Sequence, residues 1–241
     1  MKNLIILLIV ILQSAFAFSF SGKGSGTEKD PYQITNVNEL QEVNDQQVES
    51  YWILMNDIDA YETRHWNYDF PYGDTNQPKV FTGLRPIFFE SLGTFDGNGH
   101  IIKNLYENMV YSGGLFNEIS ATIKNVGIVD CDITGYYVGG FCYRIGGGAI
   151  SNSFITGKVS GDVAGGICAW GDIAVFNQCY SECEVTGSSE SSSFTGLSVI
   201  CDTILCMINE CYSTGKASGG FIHNVFGDYD IGSDNPIKNC I

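Results

Sequence analysis

The chain has 241 residues, 44% of them hydrophobic and 16% charged, and its 12 basic and 27 acidic residues give a formal net charge of −15 at pH 7. The hydrophobic content excludes an intrinsically disordered acidic chain, and the negative charge argues against nucleic acid as a partner. The length suffices for one large or two small domains, and the internal repeat described below favours one elongated unit.

The first 17 residues have the pattern of a secretory signal peptide. Lys2 supplies a positive charge, Leu4–Leu12 is apolar throughout, and small residues precede a predicted cleavage point after Ala17. An uncleaved membrane anchor is the alternative, but this apolar run is shorter than the roughly 20 residues that span a bilayer. We therefore predict an exported protein, secreted or at the cell surface, without a transmembrane segment once the signal is removed.

Residues 18–110 are predicted to form an N-terminal cap and the first coils of a β-rich fold. A helix is predicted over Val37–Gln47, with Thr35 or Asn36 as its N-cap. Such a helix would cover one end of a β-solenoid, where the unpaired edges of the sheets need protection.

The segment 59–79 is polar and aromatic and contains proline and glycine, so we predict a long surface loop. Structureless loops longer than about 15 residues are usually functional or mobile. Aromatic rings exposed there would have few structural reasons to exist, so the loop is the predicted contact region for an extracellular glycan or protein ligand. The predicted binding residues are Tyr61, His65, Trp66, Tyr68, Phe70 and Tyr72.

Residues 111–241 repeat a unit with a period of 26 residues, because Gly-Gly pairs stand at positions 113/114, 139/140 and 165/166. A fixed period of this size is typical of solenoids and arrays. The apolar residues come in short alternating runs without helical spacing, so the repeat predicts an all-β protein, a parallel β-helix. A β-propeller is the alternative, but its blades usually have about 40 or more residues.

Two features of the repeat predict corners of a coil. Each Gly-Gly pair suits a corner at which a side chain would clash. A recurrent asparagine suits an inward-facing corner, where its amide would bond the backbone and the asparagine of the neighbouring coil. These asparagines are Asn125, Asn152, Asn177, Asn209 and Asn239. The sequence ends at Ile241 inside a repeat unit. We expect further repeats or another domain to follow, and the alternative is that the open end of the last coil pairs with a partner.

All nine cysteines lie in the repeat half, and some occupy equivalent positions in successive units. Cys142 and Cys168 form one such pair, and Cys179 and Cys211 form another. Neighbouring coils lie about 4.8 Å apart, which allows a disulfide, but a buried cysteine also packs as a small hydrophobic side chain. Both core thiols and one or two cross-coil disulfides are compatible with the sequence. The remaining cysteines are Cys131, Cys183, Cys201, Cys206 and Cys240.

Aromatic residues also recur in the repeats, and they are either a stripe that contacts a sugar or protein ligand or part of the stacked core. Tyr180 and Tyr212 occupy equivalent positions, so their rings are predicted to stack. The spacing does not decide whether these rings point inward or outward. The residues are Tyr111, Tyr136, Tyr137, Tyr143, Trp170, Tyr180 and Tyr212.

Several segments resemble secreted proteins with GLUG-motif repeats, namely GSGTEKDPYQI, the strand ending in NDID, GTFDGNGHIIKNLY and YSGGLF with TIKNVGI. The same module occurs in adhesin-like bacterial surface proteins and upstream of the catalytic part of IgA-cleaving metallopeptidases. The resemblance covers about Gly24 to Asn239 and implies a right-handed parallel β-helix that serves as a surface or adhesive scaffold. One departure is the longer spacing from Gly165 to Gly196, which affects the regularity of the fourth coil.

The sequence contains neither H-E-x-x-H nor G-x-S-x-G, so we predict no catalytic residue, metal site or cofactor. The alternative function is a polysaccharide lyase or glycoside hydrolase, which would need two or three carboxylates within about 10 Å on one face of the β-helix. His100 is interpreted as a residue that flanks a turn. The carboxylates available for the alternative are Asp57, Asp59, Asp96, Asp130 and Asp132.

Overall fold

The computed structural model describes residues 20–45, 49–69, 76, 78–89, 93–187, 194–196, 200–204, 206–218, 221–223 and 237–238. Within these ranges β-strands predominate, and the only α-helix is α1, Val37–Gln41. Two 3₁₀ helices span Glu42–Asp45 and Tyr61–His65. No helix in this part of the chain is both long enough and apolar enough to cross a membrane.

Nine short strands precede the first Gly-Gly unit, and longer strands follow it. The first group comprises β1 (Tyr32–Ile34), β2 (Tyr51–Leu54), β3 (Ile58–Asp59), β4 (Tyr68–Asp69), β5 (Val80–Phe81), β6 (Ile87–Phe89), β7 (Thr94–Asp96), β8 (Ile101–Lys103) and β9 (Tyr106–Asn108). The second group begins with β10 (Ser112–Gly113), β11 (Phe116–Ile119), β12 (Thr122–Lys124), β13 (Gly127–Thr134), β14 (Tyr137–Gly139), β15 (Cys142–Gly146), β16 (Ala149–Gly161), β17 (Val163–Gly165), β18 (Cys168–Asp172) and β19 (Val175–Gly187). It continues with β20 (Phe194–Gly196), β21 (Ile200–Ile204), β22 (Met207–Asn209), β23 (Tyr212–Ser213), β24 (Lys216–Ser218), β25 (Phe221–His223) and β26 (Ile237–Lys238).

Three parallel sheets form the sides of a β-solenoid. The largest has 14 strands and contains the path β1-β2-β7-β12-β16-β13-β8-β3, and two sheets of five strands run β10-β14-β17-β20-β25 and β21-β18-β15-β11-β6. One coil passes from β14 through β15 into β16, and the next passes from β17 through β18 into β19. The predicted parallel β-helix is confirmed, and the alternative of a propeller with antiparallel blades is wrong.

Buried side chains stack in columns along the interior, because parallel pairing in register places equivalent residues of successive coils above one another. Two columns of the 14-stranded sheet are Phe95–Ile123–Ile150–Phe176–Ile208 and Ile102–Ile128–Ile155. Every member of these columns is buried, with at most 2% of its surface exposed. The core is therefore continuous from coil to coil.

The glycine pairs lie where the prediction placed them, at positions without room for a side chain. A β-carbon on Gly139 would lie 2.0 Å from the carbonyl oxygen of Cys142, and one on Gly165 would lie 2.0 Å from that of Cys168. A β-carbon on Gly140 would lie 2.5 Å from the Gly166 carbonyl oxygen of the next coil. The chain turns so tightly here that only glycine fits.

The recurrent asparagines form two ladders rather than one. Asn152 Nδ2 donates to Asn125 Oδ1 at 2.9 Å, and both residues have left-handed backbone angles, which asparagine tolerates. Asn209 Nδ2 donates to Asn177 Oδ1 at 2.7 Å. This second pair aligns with Ser151, one position before Asn152 in the coil. Asn152 is exposed and the other three are half-buried, so the inward-facing prediction was wrong. Asn239 lies outside the described residues.

The seven cysteines whose side chains the structure describes are buried and carry free thiols. Cys142 Sγ lies 3.4 Å from Cys168 Sγ in the next coil. Cys131 contacts Cys183 across Gly157, which occupies the intervening coil and leaves space for the two sulfurs. Burial raises the pKa of the Cys142 thiol, which keeps it protonated. These seven cysteines are therefore core thiols, as one of the two interpretations of the sequence proposed. The side chains of Cys201 and Cys240 lie outside the described part of the structure.

Helix α1 begins where the sequence predicts, with Asn36 as its N-cap. Asn36 Oδ1 accepts hydrogen bonds from the backbone N–H groups of Asn38 and Glu39, each at 3.0 Å. The α-helix ends at Gln41, earlier than predicted, and a 3₁₀ turn continues to Asp45. Predicted helix positions 46 and 47 lie outside the described residues.

The helical segment covers the first strand of one five-stranded sheet. Gln41 Oε1 accepts the backbone N–H of Arg85 at 2.8 Å, and Asn44 Oδ1 accepts that of Phe88, in β6, at 2.7 Å. Side-chain amides therefore satisfy backbone groups that a further strand would otherwise pair with. This is the capping function that the sequence predicts for the segment.

Candidate functional site

The segment predicted as a long loop is partly ordered into secondary structure. After β3 the chain forms the 3₁₀ helix Tyr61–His65 and then β4, which pairs antiparallel with β5 through Tyr68↔Phe81 and Asp69↔Val80. The ring of Phe81 lies 5.0 Å from that of Tyr68 and 5.8 Å from that of His65. The described part of the segment is therefore a short two-stranded arm.

The arm is fixed to the solenoid by polar contacts. Arg64 Nη1 lies 3.0 Å from Asp132 Oδ2 of β13, and the Arg64 guanidinium lies 4.9 Å from the centre of the Tyr106 ring. Buried Thr63 donates its hydroxyl to the Ala60 carbonyl at 2.7 Å. Asn67, whose φ is 53°, donates its amide to the Gly83 carbonyl at 2.7 Å. The rings of the arm are thus held on a rigid base.

The six predicted binding residues divide into three groups. Tyr61 and Tyr68 are each 57% exposed, and His65 is exposed as well. Trp66 is half-buried and packs against the hydrophobic core, so it supports the arm from beneath. The two others, Phe70 and Tyr72, lie outside the described residues.

A groove of about 620 Å³ lies between the arm and the start of the repeats. We call it the hairpin groove and define it by six of its lining residues. Its lining is mainly apolar, and Phe88 and Tyr111 are 55% and 73% exposed within it. The sequence analysis missed the role of Phe88, because residues at positions 68, 88 and 111 meet only after the coils form. The defining residues are Tyr68, Asp69, Arg85, Phe88, Met109 and Tyr111.

A second group of rings lies on the outside of the following coils. Tyr137 and Trp170 are each 38% exposed, and half-buried Tyr143 lies 6.5 Å from Tyr137. The three rings line one cavity. We call these three residues the aromatic strip. Their exposure answers the question that the spacing left open, because the strip points outward.

The remaining aromatic ladder lies on the 14-stranded sheet. Tyr180 stacks on Phe154 at 4.8 Å and on Tyr212 at 4.9 Å, with interplanar angles of 5° and 6°. Tyr212 is 39% exposed. The predicted stacking of Tyr180 and Tyr212 is confirmed, and it belongs to a surface separate from the aromatic strip.

Four of the five carboxylates available for the hydrolase or lyase alternative each form an ion pair with a different residue. Asp130 is exposed at a corner, with φ of 54°. Among the described residues no group of three or more His, Cys, Asp and Glu side chains could hold a metal ion. The ion pairs, with their N···O distances, are Asp57–His100 (3.1 Å), Asp59–Lys103 (3.5 Å), Asp96–Lys124 (3.2 Å) and Asp132–Arg64 (3.0 Å).

These contacts also set the ionisation of three aspartates. The Ile101 backbone N–H and the His100 ring lower the pKa of Asp57, and the Asn104 amide lowers that of Asp59. Burial opposes ionisation of Asp96, but hydrogen bonds from the Asn125 amide and the Asn98 backbone leave its pKa below the usual value. All three are held as carboxylates, which makes them poor general acids.

One carboxyl was missed by the sequence analysis. Glu107 of β9 is fully buried, in the column that continues with Ile133 and Val159. Its Oε2 accepts the Gly114 N–H at 2.8 Å, whereas its Oε1 has no hydrogen-bond partner among the described residues. Burial raises its pKa well above 4.5. Alignment of β9 with β13 would have shown an acidic residue at a core position.

The comparisons with known proteins give one structural similarity. No protein-family model matches this chain, and no curated protein matches it. A crystal structure of a putative immunoglobulin A1 protease from Bacteroides ovatus superposes with a TM-score of 0.62, covering 90% of this chain and 76% of that one. The two sequences are 18% identical, so the similarity shows a shared fold.

Proposed function

We propose that this protein is an exported, adhesin-like scaffold with GLUG-type repeats that binds an extracellular glycan or protein through the hairpin groove. The observation that carries the proposal is the set of exposed rings in that groove, Tyr68, Phe88 and Tyr111. Exposed aromatic side chains around a concave, mainly apolar surface are typical of binding hot spots.

The rigidity of the groove supports this proposal. The arm is tied to β13 by Arg64 and Asp132, and backbone pairing joins its two strands, β4 and β5. A contact surface that is ordered before binding loses less conformational entropy when a ligand is bound. The rings therefore need no rearrangement to present their faces to a partner.

The protein acts without catalysis of its own in this proposal. Its candidate carboxylates are engaged in four separate ion pairs, and the sequence lacks the H-E-x-x-H zinc-peptidase motif. No arrangement of the described residues favours the polysaccharide lyase or glycoside hydrolase. Immunoglobulin A1 is a suitable probe for binding, because the protein with the similar fold is named a putative immunoglobulin A1 protease.

Export is part of the proposal, and it rests on the apolar run Leu4–Leu12 and the small residues before position 18. Expression of the full chain with its leader in a secreting host should deliver it to the medium or cell surface. Mass spectrometry should then show a mature N-terminus at Phe18. Retention of residues 1–17 in a membrane fraction would support the uncleaved anchor instead.

Binding is tested with the full mature chain on surfaces coated with a mucin glycoprotein or with immunoglobulin A1. We expect saturable binding to at least one surface, and Tyr68→Ala with Phe88→Ala should weaken it roughly tenfold or more. Tyr212→Ala is the control, because it removes a ring that is 39% exposed and lies on another sheet, outside the groove. Electrophoresis of the probes should show no cleavage. Binding that is absent, or that all variants retain, contradicts the proposal.

A further inference from the structure

The aromatic strip lies directly beside a network of charged side chains. In the sheet β11-β15-β18, Glu118, Arg144 and Trp170 occupy equivalent positions of three successive coils. The Tyr143 hydroxyl donates to Glu118 Oε1. One ring and two charged side chains therefore share this column of the sheet, next to Tyr143.

Arg144 is held between two carboxylates. Its Nη1 lies 3.6 Å from Glu118 Oε1, and its Nη2 lies 3.7 Å from Asp172 Oδ2. All three side chains are partly exposed, between 30% and 43%. They can therefore donate to and accept from a ligand hydroxyl without losing their mutual contacts.

Two shallow cavities lie on either side of this network. One, of about 430 Å³, is lined by the three rings of the strip together with Arg144 and Asp172. The other, of about 290 Å³, is lined by Glu118, Arg144 and Asp172 and by residues of the adjoining turns. The shared residues make the two cavities neighbouring parts of one surface.

The local charge restricts what this surface can bind. Two carboxylates and one guanidinium leave one net negative charge at the network, and the whole chain carries −15. An acidic polysaccharide would meet repulsion over the entire approach. An uncharged sugar chain meets no such repulsion. Its apolar C–H faces can pack on the rings, and its hydroxyl groups can hydrogen-bond to the charged side chains of this site.

The three rings of the strip converge on one cavity. Tyr137 of β14 belongs to one five-stranded sheet, whereas Tyr143 of β15 and Trp170 of β18 belong to the other. All three line the same cavity of about 430 Å³. A sugar chain in this cavity can therefore contact rings of both sheets.

We propose that the aromatic strip, with Arg144, Glu118 and Asp172, binds an uncharged polysaccharide in the cavity that the three rings line. The inference goes beyond the proposed function, because it uses a surface distinct from the hairpin groove. Each can therefore fail without the other.

The experiment is calorimetric titration of the full mature chain with cellohexaose and with xylohexaose as neutral probes. Hexagalacturonate serves as the acidic probe of the same length. We expect at least one neutral hexaose to bind at least roughly tenfold more tightly than hexagalacturonate, and Trp170→Ala and Tyr137→Ala to weaken it by roughly tenfold or more. Trp170→Phe should keep most of the affinity.

Tyr212→Ala is the matched control, since it removes a similarly exposed ring outside the strip and outside the hairpin groove. It should leave hexaose affinity within about twofold of wild type, and circular dichroism should show that every variant is folded. Absence of neutral hexaose binding, equal binding of hexagalacturonate, or equal loss with Tyr212→Ala overturns the inference.

The two proposals give separable results. If hexaoses do not bind but Tyr68→Ala and Phe88→Ala abolish mucin binding, the hairpin-groove function stands and the strip inference falls. If Trp170→Ala weakens immunoglobulin A1 binding and no hexaose binds, the strip is a protein-contact surface and the inference is wrong. Hexaose binding that depends on Trp170, without any mucin or immunoglobulin binding, supports the strip and contradicts the groove.

Discussion

The N-terminal coils and the repeat coils use the same fold in different ways. Strands β1–β9 have two to four residues each, whereas β16 and β19 have 13 residues each and pair from Ala149↔Val175 to Gly161↔Gly187. In the repeats, equivalent residues stack on one another. In the first coils the strands are shorter, and β4 and β5 pair only with each other, apart from the three solenoid sheets. The arm and the hairpin groove occur where regular stacking is interrupted.

The contacts that join the repeat coils differ from the contact that joins the arm to them. In the repeats, ladders such as Asn125–Asn152 and Tyr180–Tyr212 join neighbouring coils. The arm is joined to the repeats by a partly exposed ion pair, Arg64 with Asp132. Stacked ladders tolerate little change in backbone spacing, whereas exposed ion pairs contribute little and are replaceable. Substitutions in the repeat coils and in the arm contact should therefore differ in cost.

The largest expected effect is at the tight turns of the repeats. Gly165→Ala places a methyl group 2.0 Å from the Cys168 carbonyl oxygen, so the turn must open. We expect a loss of about 3 kcal/mol in the free energy of unfolding, measured by urea denaturation. Gly146→Ala is the control, because nothing lies within 4 Å of the added methyl group. Equal stability of both variants would show that the turn has room for a side chain.

The next effect concerns the buried carboxyl of the first coils. The pKa of Glu107 is raised by burial, so the folded chain holds a proton that the unfolded chain releases above pH 4.5. Its contribution to stability is complete below pH 4.5 and is lost as pH rises through the folded-state pKa. Glu107→Gln keeps an acceptor for Gly114 and should stabilise the protein by about 1–3 kcal/mol at pH 7.

The measurement for Glu107 is urea denaturation from pH 4 to pH 8. As pH rises across this range, the free energy of unfolding of wild type should fall relative to that of Glu107→Gln. The difference between the two proteins should be smallest at pH 4. Glu62→Gln, a substitution at an exposed position of the arm, should leave the wild-type pH profile unchanged. A constant difference between wild type and Glu107→Gln at every pH would mean that Glu107 does not titrate between these limits.

A smaller effect is expected at the stacked thiols. Cys142→Ala removes a sulfur that lies 3.4 Å from Cys168 Sγ, and should cost about 1 kcal/mol. Because the thiols are buried, the seven described cysteines should not react with maleimide until the protein unfolds. Peptide mapping after native labelling checks this. A peptide carrying a Cys142–Cys168 disulfide would contradict the core-thiol interpretation.

The smallest effect is expected at the ion pair between the arm and the repeats. The side chains of Arg64 and Asp132 are 33% and 40% exposed, so solvent screens their attraction. A double-mutant cycle with Arg64→Met and Asp132→Asn should give a coupling energy of about 0.5 kcal/mol. A coupling of several kcal/mol would mean that the arm is an integral part of the fold.

The sequence predicts the coils more completely than the site. The Gly-Gly pairs recur with a fixed period because each coil has a tight turn without room for a side chain. The N-cap of α1 is also predictable, because Asn36 contacts only residues two and three positions ahead of it. The inward-facing asparagines were predicted wrongly, because the motif does not reveal that Asn177 lies one position before the corner occupied by Asn152. Local spacing cannot show pairing registers, which depend on contacts between coils.

The site depends still more on such contacts. The hairpin groove joins Tyr68, Phe88 and Tyr111, which belong to three separate segments. The outward direction of Trp170 follows from its register with Arg144 in the neighbouring coil. Both are properties of the stacked coils, and neither has a signature within a single repeat.

The most direct test of the binding account is hydrogen–deuterium exchange of the full mature chain, alone and bound to a mucin glycoprotein. We predict slower exchange on binding in peptides that cover 67–69, 82–88 and 109–112, the segments that line the hairpin groove. Peptides that cover 207–212, on the 14-stranded sheet, should exchange unchanged. Protection confined to 207–212, or no protection anywhere, would contradict a binding function located in the groove.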